Sequence, residues 1–173
     1  MSDERLADLA GALRGEVTFV LDERTYRVPR RTLPEWLAAL ADPGPDAVVP
    51  ALLGDDDARD LYDRLTDPWE PMDPDVIDDV GLWVLEQAAG RPWWEVRRLA
   101  TWAAEGWNHF DGWLIDRALD PADLDLRRFC NAVHRYAMTT LKPEYAEQWH
   151  AAITAPPHAQ ALEDREEWSD EAM

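Results

Sequence analysis

The chain has one cysteine, Cys130, in 173 residues, so no intramolecular disulfide can staple it. It has one lysine, Lys142, and its other sixteen basic residues are arginine, a bias typical of GC-rich coding sequence rather than of any activity. Bases are scarce altogether. Against 17 of them stand 36 acids, giving a formal charge of −19 and a pI near 4.4. A charge of that sign repels nucleic acid and anionic membrane surfaces and leaves basic polypeptides as favoured partners. No apolar run approaches the ~20 residues of a membrane helix. The start, Met1-Ser2-Asp3-Glu4-Arg5, lacks the apolar centre of a signal peptide. These absences point to the cytoplasm.

Motifs of chemistry are missing too. The chain has no P-loop, no G-x-G-x-x-G and no G-x-S-x-G pattern. Its histidines, His109, His134, His150 and His158, form no H-x-x-x-H pair and read as surface or boundary residues. Asp55-Asp56-Asp57 lacks the alternating ligands, glycine and terminal glutamate of a calcium loop. The residues therefore imply no metal, no cofactor and no catalytic site.

What the chain does have is tryptophan. Ten occur in 173 residues, with hydrophobic residues at 46%, enough for a real core. Each indole covers on the order of 150–250 Å² when packed. So many rings build either an aromatic core or a surface held ready for a partner.

Periodicity predicts a mainly α protein, a multi-helix bundle with a small N-terminal β-hairpin. Residues 1–41 carry a short helix over 3–13, the hairpin over 16–29, and a helix Pro34–Ala41 behind the capping box Thr32-Leu33-Pro34-Glu35. A lone hairpin is marginal in water, so it must lean on a helix or pair elsewhere, and its open edges allow a homo-oligomer. Residues 42–155 form the helical domain. Its helices run over 55–65, with Leu61, Tyr62 and Leu65 inward, over 73–89, with Val76, Ile77, Val80, Trp83, Val84 and Ala88 as apolar positions, and over 92–105. Gly106 and Gly112 interrupt the next stretch. A clean amphipathic helix then spans 124–141, with Cys130 on its apolar stripe, and a last one, 143–154, buries Ala146, Trp149, Ala152 and Ile153. Residues 156–173 are an acidic tail.

Two features are candidates for binding. On helix 92–105, Val96, Leu99, Ala100 and Ala103 define one face, while Trp94, Arg97, Arg98 and Trp102 fall on roughly the opposite side. Aromatic groups on both sides suit a helix central in its bundle. They also suit an exposed aromatic–arginine patch of the kind found at interface hot spots. With Trp69, in the proline-rich loop 66–74, these four residues are the expected protein-binding site. The second feature is the acid distribution: residues 42–80 hold thirteen acids against Arg59 and Arg64. That cluster either solvates a surface, docks a basic partner, or mimics a phosphate backbone.

The order of elements carries a resemblance. VTFVLDERTYRVP, TLPEWLAAL, DDDARDLYDRLTDP, the Gly-Arg-Pro-Trp-Trp helix, CNAVHRYAM and the acidic C-terminus together resemble tail assembly chaperones of long-tailed phages of actinobacteria, over most of residues 16–155. The resemblance implies a non-enzymatic role in the host cytoplasm. Such chaperones hold the long, helical tape measure protein soluble while the major tail protein polymerises around it. It also implies a second, frameshifted product, with Met173 ending the short form. The competing readings are an acidic DNA-mimic or anti-restriction inhibitor, and a structural virion or head–tail connector protein.

Overall fold

The computed structural model describes residues 17–21, 23–41, 48–69 and 72–157. The helix expected over 3–13 and the acidic segment 158–173 lie outside the described residues. Strands β1 (Val17–Leu21) and β2 (Arg24–Val28) form an antiparallel hairpin with Val17 opposite Val28 and Phe19 opposite Tyr26. Phe19 and Tyr26 stack at 5.2 Å. Glu23 takes the left-handed conformation that the tight turn demands (φ 66°). Helices follow: α1 (Leu33–Ala41), α2 (Val48–Leu52), α3 (Asp55–Leu65), α4 (Pro74–Ala89), α5 (Trp93–Glu105), α6 (Trp107–Ile115), α7 (Leu126–Thr140) and α8 (Pro143–Thr154). A 3₁₀ turn, Pro121–Asp123, precedes α7. The architecture is mainly α with an N-terminal hairpin, as the periodicity implies.

The hairpin leans on α3. The Tyr26 hydroxyl donates to Asp60 at 2.6 Å and accepts from Arg64 at 3.0 Å, while Arg24 pairs with Asp60 and lies 3.7 Å from Asp57. The alternation of β1 and β2 turns Val17, Phe19, Leu21, Tyr26 and Val28 inward. They join one continuous core with Leu33, Trp36, Leu61, Val84, Val96, Leu99, Phe110, Phe129 and Val133. α5 is the hub of that core, touching α4, α7, α8 and α6.

Caps account for several boundaries. The Glu35 carboxylate accepts from the Thr32 N–H and hydroxyl, both at 2.7 Å. Asp73 caps α4 through the Asp75 N–H, and Asp125 caps α7 through the Arg128 N–H. Gly90 ends α4 at φ 65°, and a Cβ there would meet the Arg127 guanidinium at 2.9 Å.

Four side-chain or boundary expectations need correction. Gly112 lies inside α6 rather than breaking it, because only Gly106 separates α5 from α6. Tyr62 is not inward: it is 65% exposed, since Leu61, with Ala58 and Leu65 packed beside it, fills the core side of α3. Ala152 is exposed on α8. On α4 the apolar stripe is wider than the contact it makes, so Ile77, Val84 and Leu85 are buried whereas Val76 and Trp83 face outward.

Candidate functional site

Trp94, Arg98 and Trp102 are spaced i, i+4, i+8 and share one face of α5. That face is where α8 packs. The Trp94 indole N–H donates to the Thr154 carbonyl at 3.4 Å, and its ring meets Trp93 edge-on at 5.9 Å. One Arg98 guanidinium nitrogen reaches the carbonyls of Ala152, Ile153 and Ala155 at 2.8, 3.1 and 2.5 Å. Trp102 lies between Tyr136 of α7 and Trp149 of α8, at centroid distances of 5.6 and 5.2 Å. Arg97, one position round the helix, is half-buried. Three of the four residues expected on this patch thus join α5 to α8. The arrangement is that of a helix central in its bundle.

Arg98 belongs to a wider pattern. α8 has no basic residue in its own last turn, and Arg98 supplies the positive group its C-terminal carbonyls favour. α2 likewise lacks one, and Arg31 donates to the Leu52 and Leu53 carbonyls at 3.0 and 2.7 Å. At the end of α4, Arg127 donates to the Gln87 carbonyl at 3.3 Å. Arg91 pairs with the buried Glu95 at 3.1 Å and reaches Asn131 at 3.0 Å. Arg31, Arg98 and Arg127 are thus turned onto helix-end carbonyls, while Arg59, Arg128 and Arg135 stay exposed.

Trp69 is placed differently. It is 89% exposed, at the tip of the loop between α3 and α4. The Trp69 N–H donates to Asp67 at 2.8 Å, and the Met72 N–H donates to the Arg64 carbonyl at 3.2 Å. The ring is therefore presented where α3 ends and α4 begins, with exposed Tyr62 on the last turns of α3 and exposed Val76 on the first turns of α4. Asp63, Asp73, Asp75 and Asp79 are exposed on the same two helices and their connection. Trp36, by contrast, is sealed in the core.

Of the acid run, Asp57 and Asp60 are drawn onto the hairpin, so the carboxylates of α3 do not stand as a regular outward array. Cys130 is buried, and burial pushes its thiol up to about 12, which makes it an unreactive packing group at neutral pH. A shallow cleft of about 270 Å³, lined by Arg30, Arg31, Thr32 and residues 122–125, contains none of the expected site residues. Among the described residues no three His, Cys, Asp or Glu converge as a metal site, and no helix is long and apolar enough to cross a membrane.

One juxtaposition was invisible in the sequence. His134 of α7 and His150 of α8 meet with Nε2 and Nδ1 at 3.1 Å, rings nearly perpendicular. Their separation of sixteen residues spans two helices and a turn, so no spacing motif announces them.

Comparison of the chain with family models, with curated proteins and with solved structures finds no match.

Proposed function

We propose that the chain is a non-enzymatic polypeptide-binding protein, a tail assembly chaperone that holds the tape measure protein during phage tail morphogenesis in the host cytoplasm. The observation that supports this reading is Trp69, nearly fully exposed on an acidic scaffold, with its N–H held by Asp67. An indole is costly to leave in water. Covering one buries on the order of 150–250 Å², and at ~25 cal/mol per Å² that is a gross gain of about 4 kcal/mol or more. Ordering and association costs offset part of it. The surrounding carboxylates would keep chain and client soluble together, and they favour cationic over anionic clients.

The site accordingly moves. Trp94, Arg98 and Trp102 hold the bundle, whereas Trp69 with Tyr62 is the binding group. Co-expression of the tagged chain with the tape measure protein tests this. The wild-type chain recovers the long helical protein, and Trp69→Ala lowers that recovery about tenfold while leaving the melting temperature unchanged. Recovery of a nuclease or a DNA-binding protein in place of a long helical one would instead favour the inhibitor reading.

A further inference from the structure

The outward side of α4 is not what a solvent-facing helix ordinarily carries. Its inward positions Ile77, Val84, Leu85 and Ala89 are buried. Round the helix from them, Val76 and Trp83, at i and i+7, form a short outward apolar stripe, 38% and 40% exposed, while Val80 between them is half-buried and packed against the core. A helix apolar on both sides is normally buried on both. β-branched valine is also a weaker helix former than alanine, so intrinsic propensity does not explain its use on an outer face. Val76 and Trp83 are seven residues apart, about 10 Å along the 16-residue helix at 1.5 Å per residue. Trp69 stands beyond its N-terminal end.

The flank of the stripe names the occupant. Asp75 and Asp79, one helical turn apart, are exposed beside it, and no ion pair among the described residues engages either. A partner covering Val76 and Trp83 must bring positive charge to Asp75 and Asp79, or leave both carboxylates partly desolvated and unpaired. A second copy of this chain fits poorly, because a two-fold contact would set each acid pair against itself. The one-heptad spacing of Val76 and Trp83 suits a helix laid along the outer face of α4.

We infer that the outer face of α4 docks a cationic amphipathic helix, one whose apolar stripe is bordered by Lys or Arg. The inference rests on the reading of the chain as a polypeptide-binding protein and specifies the client segment by its chemistry.

The test uses the full-length chain and two synthetic 18-residue amphipathic helices, identical in their leucine stripe and bordered either by lysine or by glutamate. The lysine peptide binds and the glutamate peptide does not. Trp83→Ala weakens the lysine peptide about tenfold. Asp75→Asn with Asp79→Asn weakens it about fivefold and flattens its salt dependence, with helical circular dichroism unchanged. p-Benzoylphenylalanine in place of Trp83 photo-crosslinks to the peptide. Equal binding of both peptides, indifference to these substitutions, or crosslinks only to the same chain or to a second copy would overturn the assignment. The two levels separate cleanly. If the tape measure protein is captured equally by the Trp83→Ala chain, the α4 face is wrong and the chaperone reading stands. If the lysine peptide binds through α4 but no tape measure protein is captured, the surface stands and that reading falls.

Discussion

Arg98 illustrates how a residue's role is set by what approaches it. An arginine between two tryptophans on one helix face has the composition of a binding hot spot. In the fold its guanidinium gathers three carbonyls at the end of α8, some 55 residues further along the chain. Arg98→Ala is therefore expected to lower stability by about 1–2 kcal/mol, the worth of charge-assisted hydrogen bonds at a partly exposed site. Arg98→Lys restores only part, because the ammonium is more strongly hydrated and is desolvated at greater cost beside the carbonyls. Urea unfolding measures both, and a wild-type midpoint for Arg98→Ala would remove the cap from the account. Gly90 gives a second test at this scale. Gly90→Ala forces a Cβ onto a left-handed residue and into the Arg127 guanidinium, and is expected to cost about 1–2 kcal/mol. The i, i+4, i+8 spacing of Trp94, Arg98 and Trp102 was legible in the sequence, and so was the fact that they share a face. What covers that face was not legible, because the covering helix is contributed by a remote segment whose docking no local pattern encodes.

Between elements, the contact of α7 with α8 contains the pair His134–His150, packed against Trp149, whose ring lies 5.7 Å from that of His134. The hydrogen bond between the two imidazoles needs one nitrogen to donate and the other to accept, so it fails when both rings are protonated. Burial holds His134 below the ordinary histidine range, with Arg91 and His150 adding to the effect and Glu95 opposing it. The sign follows from linkage. At pH above the unfolded value of about 6.5 the ring is neutral in both states and the contact is whole. As pH falls through that value the unfolded chain takes up the proton first, and stability drops until the folded ring also titrates. The difference in melting temperature between pH 8 and pH 5 is thus expected to be larger for the wild-type chain than for His134→Gln. Equal differences would show that the pair contributes nothing. Element identity was otherwise readable: the hairpin, the Thr32–Glu35 cap, the Gly90 stop and the amphipathic stripe of α7 follow from period and end signals. The hairpin's support was not. Asp57 and Asp60, which read as part of an acidic outer surface, are the groups that hold Arg24 and Tyr26 against α3.

Taken as one object, the protein is an acidic shell around an aromatic interior. With a formal charge of −19 and arginines turned onto helix ends, its carboxylates repel one another across the surface. Screening relieves this, so raising salt from about 10 mM to 150 mM, which shortens the Debye length from about 30 to 8 Å, is expected to raise the melting temperature. A fall would mean that surface ion pairs outweigh the repulsion. The same charge opposes self-association through an exposed indole. The fold class was readable from composition and periodicity because helices bury stripes of fixed spacing. Which tryptophans remain outside was not, because Trp36, Trp102 and Trp69 differ in packing rather than in sequence context. The most direct measurement is the affinity of the full-length chain for the tape measure protein, by calorimetry, for wild type, Trp69→Ala and Arg98→Lys in parallel with their urea midpoints. The account predicts that Trp69→Ala loses about tenfold in affinity at an unchanged midpoint, while Arg98→Lys loses midpoint and keeps affinity in the folded state. Full affinity in Trp69→Ala, with affinity lost in a fully folded Arg98→Lys, would contradict it and return the client to the face of α5.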